Sequence, residues 1–383
     1  MLNFLKKNVA KHVLNLVPYA SARRLFAASE QDNNAQTPIW LNANEAPKAH
    51  DFTLDTSLYN RYPDCQPDAV ITAYAEYAGV AKNQVLVSRG ADEGIELLIR
   101  AFCNPEQDSI LICPPTYGMY AISANTCNVE VKNVPLIHRN EDSENTENRD
   151  FGSFQLDVPK IVAQDDSVKL VFICAPNNPT GTLPATADIE AIINHYADQA
   201  LVVIDEAYIE FADATHTAWL DRYSNVVILR TLSKAFALAG LRCGFTLAHP
   251  EVITTLLKVI APYPLSAPVA DVAAQALSIA GLARMRAQVS EIIAEQTPLA
   301  QSITQLGDIE LVGAQYGNFI LFRTSHKDAL MQYLVDHKVF IRDQSKQIQL
   351  ANCLRISTGD AAQNARLLAL MTQFYNLQET TAL

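Results

Sequence analysis

The chain has 383 residues with 49% hydrophobic content, enough to bury a large core, and the length suits two domains better than one. Twenty-nine basic residues against 41 acidic ones give a net charge of −12, which argues against a nucleic-acid partner and leaves any anionic ligand to local arginines. Seven scattered cysteines, odd in number and without a C-x-x-C pair, suggest neither a disulfide framework nor a zinc site, and no metal is expected; a reducing cytoplasm fits best. No stretch is long and apolar enough to span a bilayer.

The N-terminal residues 1–17 space Leu2, Leu5, Val9, Val13 and Leu16 amphipathically among lysines. This is read as a helix packed on the body or on a partner subunit; an organelle presequence is the alternative, and the lack of a continuous apolar core argues against a secretory signal. Gln84-Val-Leu-Val-Ser88 reads as a strand, and the run from Gly90 to Phe102 as a helix opening on a glycine. Free amides at such a start attract an anion, although Asp92 and Glu93 could equally be ordinary first-turn acids. The glycine spacing fits neither the dinucleotide fingerprint nor the Walker loop. Pro114-Pro-Thr-Tyr-Gly-Met-Tyr120 sets Tyr117 in a stiff loop, where a flat ring could stack on a ligand. Residues 138–150 are polar and acid-rich and read as a solvated loop.

Three further strand-like runs each end on a polar residue. Lys169-Leu-Val-Phe-Ile-Cys-Ala175 stops at Pro176-Asn-Asn-Pro-Thr-Gly181, so Asn178 is held at a strand exit by flanking prolines. Leu201-Val-Val-Ile204 ends in Asp205, with Tyr208 three residues on. A carboxylate at the end of a buried strand is costly unless a cation meets it, and a protonated pyridine nitrogen is such a cation. Lys234 follows the apolar run at Leu229, with Arg242 eight residues downstream. A lysine attacks an aldehyde only as the neutral amine, so burial or a neighbouring cation must lower its pKa, and Arg242 can be that cation as well as a forked clamp for phosphate. Lysine for the aldehyde, carboxylate for the ring nitrogen and arginine for the phosphate together suit pyridoxal phosphate. The ordinary readings are a surface lysine, a helix-capping aspartate and turn-forming asparagine and proline. They lose force because Asn178, Asp205 and Lys234 all stand beyond separate apolar strands, where α/β sheets collect ligands. From Ala270 through the alternating Asn318-Phe-Ile-Leu-Phe322, helical and strand patterns mix as in a small α+β layer.

These residues resemble the fold-type I pyridoxal phosphate aminotransferases, and within them the branch acting on histidinol phosphate. The resemblance runs over nearly the whole chain, through segments 17–25, 41–45, 61–64, 115–117, 177–181, 205–208, 260–265, 341–343 and 354–356, with Gly90, Ser233, Lys234 and Arg242. It implies an aspartate-aminotransferase-like α/β fold, and the pattern along the chain divides it into an N-terminal arm at 1–36 that joins the small domain, a large cofactor domain with a mostly parallel sheet at 37–261, and a small α+β domain at 262–383. It implies that Lys234 bonds the cofactor aldehyde and later moves the substrate's Cα proton. Asp205 then faces the ring nitrogen, Asn178 and Tyr208 face the ring oxygen, and Tyr117 stacks on the ring. Ala91, Asp92, Thr231, Ser233 and Arg242 hold the phosphate, joined by Tyr62 from a neighbouring subunit, so that a homodimer with shared sites is expected. Tyr19, Asn44, Arg342 and Arg355 fall on the substrate side, where the two arginines would answer a carboxylate in one half-reaction and a phosphomonoester of about −1.5 to −2 charge in the other. Rival readings are an aromatic amino acid aminotransferase of the same fold, a pyridoxal phosphate decarboxylase of a phosphorylated amino acid, and a non-catalytic cofactor-binding regulator.

Overall fold

The computed structural model describes residues 2–18, 37–139, 153–212 and 214–381. In chain order its strands are β1 (Ile39–Trp40), β2 (Val85–Ser88), β3 (Ser109–Ile112), β4 (Glu130–Asn133), β5 (Ile137–Arg139), β6 (Ser153–Gln155), β7 (Val168–Cys174), β8 (Leu201–Asp205), β9 (Val226–Thr231), β10 (Gly244–Ala248), β11 (Glu310–Leu311), β12 (Phe319–Arg323), β13 (Val339–Phe340), β14 (Arg342–Asp343) and β15 (Cys353–Ser357). Seven of them form the main sheet in the order β2-β10-β9-β8-β7-β3-β4, parallel except for β10, which runs against both β2 and β9. Parallel strands need a crossover of a dozen or more residues, and helices such as Ala91–Phe102 and Thr186–His195 supply it.

Both faces of this sheet are covered, which is why its strands are near-continuous apolar runs. Side chains alternate across β8: Val202 and Ile204 enter the core on one face, and Val203 enters the core on the other with Leu170, Phe172 and Tyr120. Asp205 follows the parity of Val203 and so stands on the Tyr120 face, while Glu206 turns to the opposite one. There Glu206 lies fully buried against Arg230 and His216.

The second layer is the four-stranded sheet β11-β12-β15-β14, backed by helices Ile279–Ile303, Lys327–Asp336 and Ala361–Thr381. Strand β1 pairs in parallel with β13, and Leu41 joins the core of this layer, so residues 39–41 sit with the C-terminal layer rather than with the large sheet. The 25-residue helix Ile279–Ile303 ties the layers together. Its Gln288 donates to Ala235 O, next to Lys234, and its Gln296 donates to Gly317 O and Phe319 O. Across the seam, Ala314 N–H donates to Thr180 O at 2.8 Å, and Gly181 has φ +68° with room for no Cβ, which would lie 2.0 Å from Ala314 O.

Two expectations change. The helix of residues 1–17 covers only Leu2–Asn8, followed by a single 3-10 turn at Val13–Asn15. Phe4, Val13, Leu14 and Val17 remain exposed, so little tertiary burial supports a longer helix. The loop at 138–150 begins two residues late, because His138 and Arg139 pair with Phe154 and Ser153 in β5-β6; residues 140–150 lie outside the described residues. No helix among the described residues is long and apolar enough to cross a membrane.

Candidate active site

The C-terminal ends of β2, β3, β7, β8 and β9 all open on one edge of the main sheet, and Ala91, Asp92, Tyr117, Asn178, Asp205, Tyr208, Thr231, Ser233 and Lys234 follow or end these strands. At one corner, Ser88 and Thr231 flank Gly244 in register across three strand tips. Gly90, at φ +85°, turns β2 directly into helix Ala91–Phe102. A Cβ on Gly90 would lie 2.9 Å from Arg242 Nη2, and one on Gly244 would lie 2.4 Å from Ala91 N, so only glycine admits this approach. Arg242 reaches Asp92 Oδ2 at 3.3 Å, and the hydroxyls of Thr231 and Ser233 are 2.9 Å apart. Helix-start amides, two hydroxyls and a guanidinium thus converge on one small space, a cradle for a phosphate.

Beside the cradle, the Tyr117 hydroxyl donates to Asp92 Oδ1 at 2.9 Å, which fixes the ring over the strand ends. Asp205 is 2% exposed, and its carboxylate accepts from the Tyr120 hydroxyl at 2.7 Å and from Ala207 N–H at 3.1 Å. Burial pushes its pKa up to about 6, against the pull of these two donors, and the charges that bear on it most, Asp92 and Glu206, are both negative. A buried carboxyl whose main neighbours offer no counter-charge is the partner that a protonated pyridine nitrogen requires.

On the other side of Asp205, the Tyr208 hydroxyl accepts from Asn44 Nδ2 at 2.8 Å and Asn178 Nδ2 at 3.3 Å. With both lone pairs engaged, its proton is left to donate. Burial raises the Tyr208 pKa well above the ordinary value, so that proton stays in place near neutrality.

Lys234 is half-buried and donates to Ala43 O at 2.9 Å, with its Nζ 5.8 Å from the centre of the Tyr208 ring. Its pKa is lowered to about 8, first by burial and next by Arg355, with Arg242 contributing less than either. The cation that counts is therefore not the one expected from the linear sequence. Arg355 lies on β15, is buried, donates to Asn178 Oδ1 and to Asn42 O, and stands 5.4 Å from the Phe319 ring centre. The fold carries it to Lys234 from 121 positions away in the numbering.

Arg342 is the antiparallel partner of Arg355 between β14 and β15, so the two side chains leave the sheet on the same face. Two site residues do not join the cluster. Tyr62 is 81% exposed and stacks on Tyr263 at 4.5 Å, and Tyr19 lies outside the described residues. Others were not foreseen: Tyr120 behind Asp205, Asn42 and Ala43 against Arg355 and Lys234, and Asn318 and Ser357, which hold Asn44 O and Asn44 N. No local pattern marks them, since each acts through a partner distant in the chain.

The cradle, the buried acid whose main charged neighbours are negative, the tyrosine with a proton to spare and the lysine of lowered pKa fit pyridoxal phosphate, and with the doubly covered sheet they define a pyridoxal-phosphate-dependent enzyme of the aspartate-aminotransferase-like fold. The family model described as aminotransferase class I and II matches residues 26–370. Among relatives, the histidinol-phosphate aminotransferase of Pseudoalteromonas atlantica is 56% identical over 371 residues, covering 97% of this chain and 95% of that protein. That of Yersinia enterocolitica is 51% identical over 361 residues, covering 94% and 91%. Among solved structures, histidinol-phosphate aminotransferase from Sinorhizobium meliloti in complex with pyridoxal-5'-phosphate superposes with a TM-score of 0.79 at 21% identity, covering 97% and 98% of the two chains. Aspartate aminotransferase from Thermus thermophilus gives 0.77 at 18% identity, covering 96% and 99%. The chain belongs to the class I and II aminotransferases and, within them, to the histidinol-phosphate aminotransferase family.

Proposed function

We propose that this aminotransferase exchanges an amino group between L-histidinol phosphate and 2-oxoglutarate, giving imidazole-acetol phosphate and L-glutamate, as a step of histidine biosynthesis in the cytoplasm. The observation that carries the reading is the pairing of Arg342 with Arg355 on one face of the small sheet, with Arg355 bearing directly on Lys234. One arginine matches a carboxylate; two match the larger charge of a phosphomonoester.

In this reading Gly90, Ala91, Asp92, Thr231, Ser233 and Arg242 hold the cofactor phosphate, Tyr117 covers the ring, and Asn178 and Tyr208 fix the ring oxygen. Pyridoxal phosphate, when bound, supplies an aldehyde that takes up the amino group and a cationic ring that withdraws electrons. Asp205, buried at the end of β8, would meet the ring nitrogen and preserve that cationic charge. Lys234, partly neutral at physiological pH, takes the proton from the substrate Cα. Asn44 and Arg355 orient the substrate, and Arg342 grips its phosphate; Tyr19 belongs to the same side. Exposed Tyr62 and its neighbours Leu58 and Tyr59 support a homodimer in which Tyr62 completes the phosphate cradle of the partner copy. A large lobe up to about residue 261 and a small lobe at 262–383, joined by the arm at 1–36 and by residues 39–41, would then close over the substrate.

The test is a single-turnover absorbance assay on enzyme loaded with pyridoxal phosphate, without keto acid. Bleaching of the cofactor band by histidinol phosphate at far lower concentration than by phenylalanine is expected. Preference for phenylalanine would move the function to aromatic amino acids, and no change with either would remove the transaminase reading.

A further inference from the structure

Behind Asp205 stands a tyrosine that none of these roles uses. Tyr120, in helix Met119–Thr126, is fully buried, and its hydroxyl donates to Asp205 Oδ2 at 2.7 Å. Its ring is held on two sides, stacked on Phe172 with centroids 4.8 Å apart and edge-on to Tyr117 at 5.7 Å. Phe172 lies on β7 two residues before Cys174, the residue in register with Asp205 on β8. One rigid ring therefore links the strand beneath the acid, the acid itself and the aromatic side chain expected to cover the cofactor.

The groups that act on Asp205 are the hydroxyls of Tyr117, Tyr120 and Tyr208, the thiol of Cys174 and the carboxylate of Asp92, with the Glu206 carboxylate acting from the opposite face of the sheet. None of these is a cation. Burial and the two carboxylates favour the neutral acid, and Tyr120 heads the groups that oppose them, ahead of Ala207 N–H. The Tyr120 phenol is itself held far above its ordinary pKa by burial and by Asp205, so it remains a donor throughout the working range. A donor to a carboxylate favours the charged form, and in a site of low dielectric such a bond is strong.

We propose that Tyr120 is a positioning residue for the cofactor: its hydroxyl keeps Asp205 charged and aimed at the ring nitrogen, and its ring locks that geometry to the stacking tyrosine. The proposal rests on the reading of Asp205 as the ring-nitrogen partner. Its consequence is that the pH range over which the enzyme retains its cofactor is set from the layer behind the acid.

The experiment measures pyridoxal phosphate affinity by equilibrium dialysis of the apoenzyme between pH 5.5 and 9, for wild type, Tyr120→Phe, Asp205→Asn and the double variant. Phenylalanine keeps the stack on Phe172. The affinity of Tyr120→Phe should fall off about one to two pH units higher than that of wild type, giving roughly tenfold weaker binding near pH 6.5, and the substitution should add nothing in the Asp205→Asn background. Tyr120→His, which retains a donor, should lie closer to wild type than Tyr120→Phe does, and this comparison serves if the phenylalanine variant does not fold. A Tyr120→Phe profile that overlays wild type, an equal loss in both Asp205 backgrounds, or His and Phe variants that share one profile would each overturn the proposal. Wild-type affinity in Asp205→Asn would instead remove the reading of Asp205 on which it stands.

Discussion

Replacing Arg355 with methionine removes the cation that bears most on Lys234 while keeping a long apolar side chain over Phe319. Lys234 has its pKa lowered from 10.5 to about 8, with burial the first cause and Arg355 the second. At pH 7.5 a pKa near 8 leaves about a quarter of the amine neutral, against about one part in a thousand at the ordinary value. Loss of one nearby positive charge in a half-buried site should return about one pH unit, which lowers the neutral fraction at pH 7.5 roughly eightfold. Because only the neutral amine attacks an aldehyde, the rate at which the apoenzyme captures pyridoxal phosphate should fall by a similar factor, with its pH midpoint moved up by about one unit. The assay mixes apoenzyme and cofactor, quenches with borohydride at timed intervals and reads the Lys234 adduct by mass; Lys234→Ala supplies the blank. Arg242→Met should move the midpoint less, since Arg242 is the smaller contributor. A midpoint unchanged in Arg355→Met, or moved more by Arg242→Met, would refute the assignment of the tuning charge.

Three further outcomes follow from the same geometry. Arg342→Ala should weaken histidinol phosphate roughly tenfold to a hundredfold and glutamate far less in paired Michaelis measurements, whereas equal losses would place the phosphate pocket elsewhere. Asp205 is raised from 3.8 to about 6, so the stability it contributes is complete below the unfolded value and is lost as pH rises through 6, a cost of about 3 kcal/mol at neutrality. Asp205→Asn should therefore stabilise the apoenzyme towards urea at pH 7.5 and give little gain at pH 4; the same gain at both would show that the carboxyl's charge is not the cause. Gly181→Ala should cost at least about 3 kcal/mol, because it adds a φ +68° penalty to a Cβ lying 2.0 Å from Ala314 O, and a melting temperature unchanged from wild type would contradict the tight crossing of the two layers.

The sequence by itself determined four strands of the main sheet, β2, β7, β8 and β9, and the polar residues at their ends. Strands buried on both faces must be continuous apolar runs, so β7, β8 and β9 are visible as such, and Asn178, Asp205 and Lys234 stand out because polar groups interrupt or follow those runs. Gly90 was legible for a related reason: a glycine between a strand and a helix marks a backbone turn that a side chain would obstruct. The N-terminal helix is shorter than the amphipathic spacing of residues 1–17, because such spacing states a preference, while helix length is settled by what the apolar face can pack against.

Only the tertiary structure decided which charges meet. Arg242, eight residues from Lys234, looked like its tuning cation, yet Arg355 on a different sheet weighs more, because electrostatic effects follow distance in space and burial rather than separation along the chain. The same holds for Tyr120 behind Asp205, for Asn42 and Ala43 against Arg355 and Lys234, and for the turn of residues 180–181 against 313–314. Local sequence records the periodicity that an element needs to bury one face. The partner of a buried polar group is chosen by the packing of layers, and in this protein that packing brings the arginine of the small sheet to the lysine of the large one.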